Sequence, residues 1–89
     1  MTSEQKEIFR LAILRVLDAN RTRFGLSVPA ITTHLAQFGF TPTREVVCDE
    51  FDYLITKNLV EEALKIVSKE NRAWRLTDAG LRFLDERGF

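Results

Sequence analysis

The sequence predicts a mostly helical α+β domain that spans residues 1–89, with a β-hairpin before its last helix. Three observations predict this class. Apolar residues recur at helical spacing within residues 9–17 and 47–54. Capping residues precede the helical runs, and a β-branched, alternating pattern follows Val60. With 89 residues and 45% apolar content, the chain is long enough to form one hydrophobic core.

The first predicted helix begins after Thr2 or Ser3 and runs to about Ala19. Leu11 and Leu14 lie on its charged side, so they need either a second covering element or a partner molecule. The opposite side carries an apolar stripe that we expect to be buried: Phe9, Ala12, Ile13, Val16 and Leu17.

Two further helices follow. We expect Ser27 to cap the second helix and Gly39 to end it. A third helix is predicted over residues 43–57, with Thr43 at its start. The inward positions of these two helices are Ile31, Leu35, Val47, Phe51 and Leu54.

A hairpin and a final helix complete the prediction. Residues 60–67 and 72–76 have the β-branched or alternating character of strands, and the segment between them is polar. We expect Trp74 to anchor the hairpin in the core against the first helix. Thr77 is expected to cap a last helix that runs to about Arg87.

This order of elements resembles the winged helix-turn-helix superfamily. The residues that carry the resemblance are Leu26–Ile31, Leu54–Val60 and Trp74-x-Leu76-Thr77-x-x-Gly80. The resemblance implies a three-helix core, a β-hairpin wing and a C-terminal helix. Residues 13–17 and 76–81 also resemble small winged-helix proteins encoded by Mu-like bacteriophages and prophages, whose function is not settled and which therefore imply none.

The superfamily resemblance implies a DNA-binding, transcription-regulator-like protein. In such proteins the third helix lies in the major groove with its first residues against the bases, which here means Thr43 and Arg44. The wing would contact double-stranded DNA mainly through its cations, which suit phosphates. The predicted wing contacts are Lys65, Lys69, Asn71, Arg72 and Arg75. The alternative is that these cations only protect the exposed edge of the hairpin from aggregation.

The charge of the third helix argues against DNA binding. Its predicted outward face carries Glu45, Asp49 and Asp52, which would repel phosphates. The chain as a whole has 13 basic and 13 acidic residues, so its net charge is zero. The alternatives are a solvated helix face, or a protein-interaction module that does not bind DNA and uses this acidic face or an apolar surface of the terminal helices.

A homodimer is also predicted, because several apolar residues have no obvious place in the core. The candidate interface comprises Leu11, Leu14, Phe83 and Phe89, which terminal helices could bury around a two-fold axis. The alternative is a central first helix, covered on both sides by the last helix and the wing.

Other functions lack a sequence signal. No arrangement of residues indicates catalysis, so we expect no enzyme activity and no cofactor. His34 stands alone, without the neighbours that a metal site needs. A single cysteine, Cys48, and a polar N-terminus without a signal-peptide pattern favour the cytoplasm.

Overall fold

Four helices and a three-stranded antiparallel sheet make up the described part of the chain, which in the computed structural model comprises residues 2–20, 25–64 and 73–87. The mostly helical α+β class is therefore confirmed. None of the described helices is both long enough and apolar enough to cross a membrane. In chain order the elements are α1 (Ser3–Ala19), β1 (Leu26–Ser27), α2 (Val28–Ala36), α3 (Arg44–Thr56), β2 (Val60–Leu64), β3 (Ala73–Leu76) and α4 (Asp78–Glu86).

Each helix begins at a hydroxyl side chain that accepts a hydrogen bond from a backbone N–H three residues later. This bond satisfies one of the donors that the first turn of a helix leaves unpaired. At α1 the arrangement is reciprocal, because the Thr2 N–H also donates to the Gln5 side chain. The predicted caps are thereby confirmed: Thr2, Ser27, Thr43 and Thr77.

The sheet has the order β1-β3-β2, with β3 in the centre. Leu26 pairs with Trp74 on one side of β3, and Val60 pairs with Leu76 on the other. The register of β2 shifts between Glu62 and Leu64. The remainder of the predicted hairpin, residues 65–72, lies outside the described residues.

The core is built around α1, which packs against α2, β3 and α4. The whole predicted stripe of α1 is buried. Leu14, on the other side, is 0% exposed as well. Both sides of α1 are therefore covered within one chain, as in the alternative of a central first helix. The predicted inward positions of α2 and α3 are also buried: Ile31, Leu35, Val47, Phe51 and Leu54.

Trp74 is a core residue, as predicted, and only 4% exposed. Its ring stacks on Phe51 of α3, with 4.9 Å between the centroids and 13° between the planes. The indole therefore ties the sheet to the third helix, a contact that the sequence did not predict. Strand β3 itself packs against α1.

A close junction joins the start of α4 to the turn before β2. Asn58 has a φ of 60° in this turn, a conformation that asparagine tolerates better than most residues. The Thr77 hydroxyl donates to the Asn58 carbonyl (2.6 Å), and the Thr77 N–H donates to the Leu59 carbonyl (3.1 Å). The Leu59 carbonyl occupies the space that a Cβ on Gly80 would need. This packing explains the Leu-Thr-x-x-Gly pattern of residues 76–80.

Candidate nucleic-acid interface

The helix-turn-helix consists of α2, a connection through residues 37–43, and α3. Helices α2 and α3 pack against each other, and α3 turns Val47, Phe51 and Leu54 into the core. Gly39 has a φ of 85° in the connection, a conformation that suits glycine. Because one side of α3 is buried in this way, its N-terminus and its opposite side face solvent.

The tip of α3 exposes both residues that were predicted to approach DNA. The Thr43 hydroxyl accepts from the Val46 N–H at 3.3 Å, so Thr43 also holds the first turn of the helix. Arg44 is exposed and makes no ion pair within the described residues. Its guanidinium is therefore available to a phosphate or a base edge.

The long face of α3 is acidic. Glu45, Asp49 and Asp52 are all exposed, as the helical periodicity predicts. Cys48, on the same helix, is half-buried and packs against the core. The solvent-facing surface of α3 therefore carries three carboxylates behind a cationic tip.

A fourth acidic residue of α3 points inward. The Arg10 Nε donates to a Glu50 side-chain oxygen at 2.5 Å, and the Glu50 side chain is only 10% exposed. The Arg10 guanidinium also lies 3.7 Å from the centroid of the Tyr53 ring. This contact ties α1 to α3. Sequence reasoning missed it, although the position of Glu50 on the core stripe, three residues after Val47, indicated a buried partner.

Only one predicted wing residue lies in the described part of the chain. Arg75 is exposed on β3, and its Nε is 2.7 Å from a Glu61 carboxylate oxygen on β2. These two residues face each other in the strand register. The charge of Arg75 is thus partly offset by a neighbour. The other predicted wing contacts lie outside the described residues: Lys65, Lys69, Asn71 and Arg72.

The predicted dimer residues differ in exposure. Leu14 has no exposed surface, because the rest of the chain covers it, so it offers no contact to a partner. Leu11 and Phe83 are half-buried against the core, and Phe89 lies outside the described residues. Four large apolar side chains are exposed among the described residues: Ile8 (57%), Phe38 (47%), Ile55 (40%) and Tyr53 (38%).

The described residues contain no group of three or more histidine, cysteine, aspartate or glutamate side chains able to hold a metal ion. His34, the one histidine of the chain, is half-buried near the end of α2.

A helix-turn-helix followed by an antiparallel hairpin and a closing helix defines a winged-helix fold. The fold is similar to that of a PadR-like transcriptional regulator from Bacillus cereus, with a TM-score of 0.76. The alignment covers 96% of this chain and 82% of the regulator chain, at 22% sequence identity. No family model matches the sequence, and no curated protein matches it.

Proposed function

We propose that this protein is a DNA-binding transcriptional regulator that binds double-stranded DNA as a homodimer. The observation that carries the proposal is the α3 tip, where Arg44 is exposed and makes no ion pair within the described residues. The winged-helix fold and its likeness to a PadR-like transcriptional regulator support the same class. The proposal also takes the protein to be cytoplasmic and non-enzymatic. A phage or prophage origin is a further proposal, and it rests on residues 13–17 and 76–81 alone.

In this proposal the tip and the wing have different roles. Arg44 can donate two hydrogen bonds to a guanine in the major groove, and Thr43 can contact a neighbouring base or phosphate. The wing residues contact the phosphate backbone and supply most of the affinity. The proposed wing contacts are Lys65, Lys69, Asn71, Arg72 and Arg75.

The acidic face restricts how the domain can approach DNA. If α3 lay full-length in the groove, Glu45, Asp49 and Asp52 would come near phosphates and weaken binding through like-charge repulsion. An approach by the tip, with the wing on the backbone, keeps these carboxylates farther from DNA. We therefore propose that α3 enters the groove end-on.

Fluorescence anisotropy with random duplex DNA tests the proposal. If the wing neutralises about four phosphates, raising salt from about 50 to about 200 mM lowers the affinity roughly 100-fold. Lys69→Glu plus Arg72→Glu should abolish binding. Lys6→Glu plus Arg82→Glu is the matched control, because it makes the same charge change at two exposed positions of α1 and α4. Equal losses in both double variants would show a general charge effect and refute the wing contact.

A second candidate function rests on the acidic face itself. Three exposed carboxylates along one helix suit a basic protein partner, and the winged-helix fold by itself does not decide between the two functions. Asp49→Lys plus Asp52→Lys separates them. The change should strengthen DNA binding if DNA is the ligand, whereas it should weaken a complex with a basic protein. A wild-type chain that does not bind DNA even at low salt would favour the protein-interaction module.

A further inference from the structure

A groove of about 550 Å³ lies between α1, the C-terminal end of α3, and α4. This volume is within the range of about 300–1,000 Å³ that is usual for small-molecule sites. Its lining includes the apolar side chains Leu11, Leu59 and Phe83, all half-buried, so each presents surface to the groove. Leu14 and Leu54 lie behind them in the core. Such a floor suits the hydrocarbon part of a ligand.

The charged lining of the groove is mainly cationic. Among the described residues, Arg10, Lys57 and Arg87 line it, and Glu7 contributes one carboxylate. Arg87 pairs with Glu7 at 2.6 Å, and Arg10 pairs with Glu50. Lys57 makes no ion pair within the described residues; its Nζ lies 5.7 Å from the centroid of the Tyr53 ring. An excess of positive charge beside an apolar floor selects a ligand that carries both a hydrocarbon body and a negative charge.

We propose that this groove binds a small amphipathic carboxylate, with the carboxylate at Lys57 and the hydrocarbon chain on the apolar floor. The groove is partly open to solvent, so the head group can stay partly hydrated while the chain leaves water. This site is separate from the α3 tip, but it shares Leu11 and Phe83 with the candidate dimer interface, so a dimer formed through these two residues would cover it.

The position of the groove also connects it to α3. Lys57 is the C-cap of α3, and Tyr53 is one turn earlier. Arg10 and Lys57 both lie against the Tyr53 ring, so a carboxylate bound at Lys57 lies near Arg10 and would compete with Glu50, the residue that ties α3 to α1. We therefore infer that occupancy alters how α3 is held. This regulatory consequence, unlike the binding site, rests on the proposed DNA-binding function.

Calorimetric titration of the full chain with octanoate, and separately with octan-1-ol, tests the site. Octanoate should bind at least about tenfold more tightly than the uncharged alcohol, because it alone carries the charge that Lys57 pairs with. Lys57→Met should remove about that factor, whereas Lys6→Met, at an exposed position of α1 outside the groove, should not. Equal binding of acid and alcohol, or an unchanged affinity of the Lys57 variant, would overturn the carboxylate site.

Three further measurements give independent outcomes. Backbone amide resonances of Leu11, Lys57 and Phe83 should shift on addition of octanoate, and shifts confined to other regions would refute the location. Sedimentation tests a competing occupant: a dimer that Leu11→Lys converts to a monomer, together with no binding of octanoate to the natural dimer, would assign the groove to a second copy of the chain and overturn the ligand site. DNA anisotropy with octanoate tests only the regulatory consequence, so a chain that never binds DNA leaves the calorimetric result intact.

Discussion

Replacing Gly80 with alanine tests how α4 is held against the sheet. A Cβ built on Gly80 would lie 2.2 Å from the Leu59 carbonyl oxygen and 3.1 Å from the Leu76 Cδ2. The Leu59 carbonyl cannot turn away easily, because it accepts the Thr77 N–H at 3.1 Å. Ordinary contacts at this position begin at 3.4 Å, so α4 or the Leu59 backbone must move by about 1.2 Å, the difference between 3.4 and 2.2 Å.

Two opposing effects set the size of the change. Alanine favours a helix over glycine by about 1 kcal/mol, which would stabilise the variant. Overpacking against a backbone costs about 3 kcal/mol at the upper end of its usual range. Moving α4 also weakens the hydrogen bonds of Thr77 to Asn58 and Leu59, at a cost of about 1 kcal/mol. We therefore expect Gly80→Ala to lower the free energy of unfolding by about 3 kcal/mol.

Urea denaturation gives this free energy directly, and thermal unfolding followed by circular dichroism gives Tm. At about 4–8 °C per kcal/mol for a domain of this size, Tm should fall by about 12–24 °C. Ala79→Gly is the control for helix propensity alone and should cost about 1 kcal/mol. A Gly80→Ala variant as stable as the natural chain, or more stable, would refute the close contact.

The remaining predictions concern the α1–α3 ion pair and the dimer. Arg10→Met leaves the Glu50 carboxylate buried without its partner and should lower the free energy of unfolding, measured by urea denaturation, by about 3 kcal/mol. The double variant Arg10→Met with Glu50→Met should recover most of that loss. Equal losses in both variants would contradict a pairing effect. Leu11→Lys should convert the proposed dimer to a monomer in sedimentation while circular dichroism stays unchanged, and an unaltered mass would exclude Leu11 from the interface.

Local interactions account for what could be predicted from the sequence. The caps at Ser27, Thr43 and Thr77 were predictable because each hydroxyl bonds to a backbone N–H only three residues away. Helical spacing likewise predicted the buried stripe of α1 and the exposed carboxylates on α3. The winged-helix fold followed from the order of these elements.

The candidate site was predictable only in part. The exposure of Thr43 and Arg44 follows from their place at the start of a helix whose other side is apolar. The Glu61 partner of Arg75 depends on the strand register, which a sequence of alternating residues does not specify by itself. The exposure of a cation can thus follow from the sequence. Whether another side chain already pairs with that cation, and so whether it is available to DNA, depends on the tertiary structure.

Contacts between distant segments were decided only by the tertiary structure. Helical periodicity placed Leu14 on the charged side of α1, but packing of the whole chain left it 0% exposed. Arg10 and Glu50 are 40 residues apart and meet only when α1 and α3 pack together. The groove between α1, α3 and α4 arises in the same way. Local hydrogen bonds and periodicity are encoded within a few residues, whereas burial, pairing and cavities depend on which surfaces the folded chain brings into contact.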